Sequence, residues 1–311
     1  MAEVKRIPFM RYRRVAAVFS ITMVLISLIS IAIQGLNFGL DFTGGSEVQV
    51  EYAQPVDIAT VRSQLEAAGY NNVMVQNFGS DRDILMRLQN TESSNIGDDI
   101  VAVLQQDGSD VKLSRSEFVG PSVGEELREK GGLALVLALI IVMIYIAFRF
   151  QIKFSVGAVV ALIHDVIITI GFFSITHFDV DLTVLAAVLA VIGYSLNDTI
   201  VVSDRIRENF RLIRSDDVDY IIDVSITQTL DRTLMTSFTT MVVLLALLLV
   251  GGELNFGFSV ALLVGIFVGT YSSIYVAANV KMALNLTKED LIPPEKPKED
   301  SVEEIPSWLK D

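Results

Sequence analysis

Residues 182–210 read LTVLAAVLAVIGYSLNDTIVVSDRIRENF, an apolar helix long enough to cross a bilayer that ends in charge. Between Leu182 and Val202 the one ionisable carboxyl is Asp198, with Tyr194, Ser195 and Asn197 beside it. An aspartate at the bilayer centre costs about 2.5–3.5 kcal/mol on insertion scales, and less toward either end. At ~1.5 Å of rise per residue, Asp198 sits roughly 6 Å inside the end at Val202. A carboxyl so placed faces a partner or a water-filled cavity. It marks an ion or proton path, or it is a structural hydrogen-bond clasp between helices.

Five more apolar runs flank this one: Val15–Ile33, Leu133–Phe148, Ser155–Ile175, Thr233–Val250 and Phe256–Val280. With 51% hydrophobic residues and a mean hydropathy of +0.51, the chain belongs among polytopic α-helical membrane proteins with six transmembrane helices. Short connections set orientation, because positive residues stay in the cytoplasm. Five Lys/Arg precede the first run, two lie in 149–154 and five in 203–232, whereas 176–181 and 251–255 carry none. Both termini are therefore expected in the cytoplasm. The expected division is a cytoplasmic N-terminus (1–14), a first helix (15–35), an outer domain (36–131), helices two to six (132–280) with a cytoplasmic loop at 203–232, and a cytoplasmic tail (281–311). Nineteen apolar residues from Val15 are too many for a signal-peptide core, so the first run reads as an uncleaved anchor.

The outer segment holds sixteen Asp/Glu against seven Lys/Arg, and the tail eight against five, which argues against nucleic-acid binding. The absence of cysteine excludes disulfides and thiolate chemistry, and two histidines, His164 and His177, make a protein-bound transition metal an unpromising reading. The outer domain alternates as strand (46–52), helix (57–69), strands (73–78 and 83–88) broken by GSDR, helix (93–107) and strand (111–119). This βαββαβ order is that of a ferredoxin-like α+β domain. It has no catalytic cluster and no Gly-rich phosphate loop, which suggests a binding or docking module and not an enzyme.

Small residues mark the packing faces. Gly257, Ala261, Gly265, Gly269, Ser273 and Ala277 recur every fourth residue in the sixth run, a stripe that lets another backbone approach. The row Gly157, Ala161, Asp165, Thr169 puts Asp165 on a close-packed face with His164 next to it, and Ala186, Ala190, Tyr194, Asp198 does the same for Asp198. Arg232 stands at the mouth of the fifth helix with Thr229, Thr233, Thr236 and Ser237 around it. It reads as a proton-gated latch partner for Asp198, or as a snorkelling interfacial arginine. An Asp165–Asp198 protease dyad would need carboxyls about 3 Å apart. Helical rise sets the two roughly 9 Å apart in depth, which argues against it.

Several longer motifs carry a resemblance: NFGLDFTGGSEV (37–48), EFVGPSV (117–123), ALIHDVIIT (161–169), IGYSLNDTIVVSDRIRENF (192–210) and SITQTLDRTLMTS (225–237). Together they resemble the SecF family of protein-export membrane subunits, partner of SecD, within the resistance–nodulation–division (RND) transporter superfamily. The resemblance runs from the first helix to the sixth and implies an RND-like half of six helices with a periplasmic domain at 36–131. It further implies a bacterial inner-membrane location, association with SecD, the SecYEG channel, YajC and YidC, and use of the proton-motive force to draw an unfolded polypeptide outward late in translocation. No cofactor is expected. The family's proton-transport Asp and Arg correspond to Asp198 and Arg232. Asp165, His164, Tyr194, Ser195, Asn197 and Thr233 are supporting polar groups, and Gly44-Gly45 is a hinge or a tight turn. An RND-type exporter of small molecules or lipids is the alternative, although such a protein usually carries two six-helix halves.

Overall fold

A computed structural model describes residues 6–70, 73–88, 95–213, 215, 217–252 and 255–287. Lys5, Arg214 and most of the expected tail (288–311) lie outside these residues. Six helical spans are long and apolar enough to cross a membrane, and each contains one of the six runs. They are α1 (Arg13–Gln34, entered through a 3-10 turn at Phe9–Tyr12), α5 (Pro121–Arg149), α6 (Ile152–Thr176), α7 (Leu182–Leu212), α8 (Val218–Val250), and α9 (Phe256–Ile274) continued by α10 (Val276–Ala283). A four-residue helix α2 (Leu40–Thr43) links α1 to an αβ domain of β1 (Gly45–Tyr52), α3 (Ile58–Ala67), β2 (Met74–Phe78), β3 (Ser80–Leu88), α4 (Ile96–Leu104) and β4 (Val111–Val119).

Helix ends follow local chemistry. Pro121 opens α5, where its missing N–H costs nothing. Asp181 caps α7 by accepting from Val184 N, and Asp217 caps α8 by accepting from Tyr220 N. The segment 203–232, expected as a loop, is mostly helix: α7 runs ten residues past Val202 and α8 begins at Val218. The amphipathic pattern explains the extension. Val202, Ile206 and Phe210 bury against Ile221, Ile222 and Ile226, and Asn209 donates to Ser225 Oγ and Gln228 Oε1, both at 2.9 Å.

Burial separates the spans into two sets. α6, α7 and α9–α10 bury 61%, 44% and 56% of their apolar windows, against 22%, 11% and 17% for α1, α5 and α8. The first three form the inner bundle, and the others turn apolar faces outward. The glycine stripe of α9 is what lets α7 in. A Cβ on Gly265 would lie 2.1 Å from Val191 Cγ2, one on Gly257 2.8 Å from Val184 Cγ2, and one on Gly269 3.0 Å from Ser195 Cβ.

In the αβ domain the sheet order is β2-β3-β1-β4 with every neighbouring pair antiparallel. β1 and β2 are therefore parallel strands split by β3, and β3 and β4 are split by β1. This is the ferredoxin-like arrangement expected from the element order. Alternate residues Val48, Val50, Ile84, Met86 and Val75 bury under Val61, Leu65, Ile100 and Leu104 of the two helices. The opposite sheet face carries Glu47, Arg87 and Arg115, and it overlies the α6–α7 connection, where Arg87 meets Asp179 at 2.7 Å.

Domain and bundle meet covalently at Gly44-Gly45 and at Gly120-Pro121. Gly44 and Gly45 both adopt positive φ, 69° and 124°. Gly44 is also wedged: its Cβ would lie 2.7 Å from Pro121 Cα, and a Cβ on Gly124 would lie 2.8 Å from Gly44 N. Gly44→Val should therefore lose about 1–2 kcal/mol to the left-handed backbone. Overpacking should add about 1–3 kcal/mol, and Gly124→Val should show the overpacking loss alone. Gly132→Ala, whose Cβ meets nothing within 4 Å, should be neutral. Thermal unfolding of the three variants in mild detergent checks the ordering; equal midpoints for Gly44→Val and Gly132→Ala would contradict it.

Candidate functional site

Asp165 is fully buried where α6, α7 and α9 meet. Its Oδ2 accepts from Ser195 Oγ on α7 and from Ser272 Oγ on α9 at 2.7 Å, and its Oδ1 lies 2.8 Å from His164 Nδ1. Three helices thus close around one carboxylate, and each lends it a partner. The His164 ring tilts against Tyr271 at 6.3 Å between centroids, and its buried Nε2 has no partner among the described residues. Along the same helix Thr169 Oγ1 bonds back to Asp165 O at 2.8 Å, and Gly157 meets α10. The row read from the sequence is therefore one contact face.

Asp198 is also buried, at 3% exposure, but its Oδ2 has no hydrogen-bond partner among the described residues. Tyr194, one turn earlier on the same face of α7, presents a buried hydroxyl equally without a partner, and so does Thr233 Oγ1 on α8. Arg232 is exposed on α8 and lies within electrostatic reach of Asp198 without forming an ion pair with it. Asn197 is exposed. Ser195, which binds Asp165, precedes Asp198 by three residues, about 4.5 Å of rise. The two carboxylates are therefore about one turn apart along α7, closer than the roughly 9 Å from sequence, because α7 does not end at Val202. They share no hydrogen bond, so no acid dyad forms.

Two buried charges escaped the sequence reading. Lys281, counted with the tail, lies fully buried in α10; its Nζ donates to Ser203 Oγ at 2.7 Å and sits 5.1 Å from the Phe154 ring centroid. Asp223 on α8 is 0% exposed and takes Arg6 Nη2 at 2.9 Å and Met10 N at 2.8 Å, which docks the N-terminal segment on the bundle. The fourfold small-residue row reaching Ala277, four before Lys281, was the available signal for the lysine. For Asp223 it was the apolar set Ile221, Ile222, Val224, Ile226 around it. Among the described residues no group of three or more His, Asp or Glu side chains could hold a metal ion.

Residues 99–287 match the family described as protein export membrane protein SecD/SecF, C-terminal, and residues 29–56 match the SecD/SecF GG motif. The chain is 49% identical over 299 residues to the protein translocase subunit SecF of Vibrio alginolyticus, covering 95% of each. It is 49% identical over 306 residues to that of Pseudomonas aeruginosa, covering 98% of this chain and 99% of the relative. Among solved structures it resembles SecDF from Thermus thermophilus, with a TM-score of 0.82 and 36% identity over 92% of this chain; it spans 40% of that longer chain. A super-membrane-facing form of SecDF matches with a TM-score of 0.68 at 35% identity, over 90% of this chain and 39% of the other. With six bilayer-length helices, a βαββαβ domain, the GG motif at their junction and nearly half its residues shared with translocase subunits end to end, the chain belongs to the SecF branch of the SecD/SecF family.

Proposed function

We propose that this subunit pairs with a SecD-type partner in the bacterial inner membrane and uses the proton-motive force to assist late translocation of unfolded polypeptide through the SecYEG channel, alongside YajC and YidC. Both termini lie in the cytoplasm and residues 36–131 in the periplasm. The positive-inside count supports this orientation, as does the gathering of Arg149, Lys153, Arg205 and Arg207 at the bundle end away from the αβ domain.

One observation carries the proton reading: of the three buried carboxylates, Asp165 and Asp223 have hydrogen-bond partners on both oxygens, and Asp198 has an oxygen without a partner among the described residues. A saturated carboxylate holds helices together, whereas a vacant one has room for a proton. Protonation would turn Asp198 from acceptor to donor and give it a reason to re-pair with an unpartnered oxygen such as that of Tyr194. Arg232 acts in the other half of the cycle, swinging from the exposed face of α8 to hold the ionised form. Asp165, His164, Ser195 and Thr233 support the site. The hinge function falls on Gly45, since Gly44 is wedged against α5.

The energy scale suits this work. One charge crossing 100 mV releases about 2.3 kcal/mol, enough to bias a conformational equilibrium roughly fiftyfold. The two SecDF structures match this chain at nearly equal identity but with TM-scores of 0.82 and 0.68, so the family shape takes more than one arrangement. The alternative, a small-molecule or lipid exporter of the RND type, is less well supported, because the relatives that this chain matches almost end to end are protein translocase subunits.

Asp198→Asn should cut gradient-dependent export about tenfold or more, in line with the fiftyfold bias available per proton, without changing the amount of inserted protein. Full gradient-dependent secretion by this variant in a membrane-vesicle assay would reduce Asp198 to a clasp. Asp165→Ala should do the opposite. It strands Ser195, Ser272 and His164 in the bundle, costs roughly 1–3 kcal/mol per unsatisfied group, and lowers the folded yield itself. Arg232→Lys keeps the charge but not the planar fork, so slow-substrate secretion should fall severalfold; wild-type rates would remove Arg232 from the cycle.

A further inference from the structure

The outer end of α7 is held from two sides by groups no functional reading has used. Residues 37–39 lie alongside 180, with Gly39 N donating to Val180 O and Val180 N to Asn37 O, each at 2.8 Å. Asp41 Oδ2 accepts from Leu182 N, the first amide of α7, at 3.0 Å. From the αβ domain, Arg87 on β3 places Nη1 2.7 Å from Asp179 Oδ2, while the other oxygen of Asp179 accepts from the Asn37 side chain. Asp179 is three residues from the start of α7. From Leu182 to Asp198 that helix is unbroken, about 24 Å of rise.

We infer that Arg87, Asp179 and Asp41 form a coupling clamp, through which the αβ domain and the Asp198-bearing helix bias one another's position. They are positioning residues, remote from the carboxylate they serve, and the inference rests on the proton-coupling reading of Asp198. The clamp is built to release. Arg87 has a second carboxylate within its own sheet, Glu47, directly opposite on β1, with Nε 2.7 Å from Oε2. When Asp179 withdraws, the partly buried guanidinium, 22% exposed, keeps Glu47 and is never left unpaired. That removes the largest penalty of breaking a sheltered ion pair and gives the joint two states of similar energy. The two glycine-bearing connections permit motion of the domain, and the clamp ties that motion to α7.

The chain has no cysteine, so paired cysteines can be labelled without background. Spin labels at Arg62→Cys on α3 and Val250→Cys at the end of α8, both exposed positions, report the distance between domain and bundle in the full-length chain assembled with its partner in membranes. Asp179→Asn and Arg87→Gln should each broaden or shift that distance distribution and lower gradient-driven export about two- to tenfold, with expression unchanged. The conservative variant Asp179→Glu, which keeps a carboxylate for Arg87 and leaves the Arg87–Glu47 pair untouched, should restore both readouts toward wild type. Unchanged distances in both Asp179→Asn and Arg87→Gln overturn the clamp. Altered distances with unchanged export overturn its coupling role. Should Asp198→Asn keep full gradient-dependent export, the proton reading falls, while the distance shift in Asp179→Asn still decides the clamp.

Discussion

Everything in the bundle is arranged around the burial of a carboxylate at zero exposure between three helices. Asp165 can sit at zero exposure because hydroxyls from two other helices and the ring of His164 supply its hydrogen bonds. Those hydroxyls reach it because α9 offers glycine wherever α7 presses closest, at Gly257, Gly265 and Gly269. The small-residue stripe and the acid are two parts of one constraint. Without close approach the carboxylate would be stranded, and without the carboxylate the inner bundle would lose the polar contact that joins all three of its helices.

That constraint explains what the sequence disclosed. Periodicity of four in the third and sixth runs named the contact faces, because a membrane helix interface selects small residues independently of partner. In the fourth run the expected row failed, since Ala186 and Ala190 are exposed and the face that meets α9 carries Val184, Val191 and Ser195. Periodicity could not say that the stripe of α9 meets those three residues of α7, since pairing is set by the rotation of all six helices together. The αβ domain was more legible still, because alternation along each strand matches one buried sheet face and turn residues punctuate every element. Its boundaries shifted by only a few residues, as at β3, which begins at Ser80 where the GSDR turn narrows to Gly79.

The misreadings share a cause. Charged residues at the ends of apolar runs were assigned to water, yet two of them are internal, and a charged stretch read as loop is helix. Lys281 is sheltered by α6 and α7, Asp223 is covered by the N-terminal segment, and the 203–232 stretch continues as helix. Hydropathy windows end where charge begins, whereas a helix ends where its backbone hydrogen bonds find no further support. Arg232 shows the reverse. Its sequence neighbours Thr229, Thr233 and Ser237 are buried, but Arg232 itself is exposed.

The position of Lys281 bears on how α7 is held at its far end. A buried lysine nitrogen that finds only a serine oxygen and an aromatic face has few other partners, and its hydrogen bond ties its helix to the one it has. Its partner is Ser203, five residues beyond Asp198 on α7, and Gly157 of α6 leaves space for its stem: a Cβ there would lie 3.0 Å from Lys281 Cγ. Asp198 therefore sits between two anchors on one helix, the Asp41–Asp179 clamp at the outer end and Lys281 at the inner. Of the buried polar groups along α7, Asp165's partner Ser195 and Lys281's partner Ser203 are engaged, whereas the Asp198 carboxylate between them, like the Tyr194 hydroxyl, has an oxygen without a partner among the described residues. A helix fixed at both ends transmits a change at its middle as rotation or bending. The groups that feel such a change first are the two anchors.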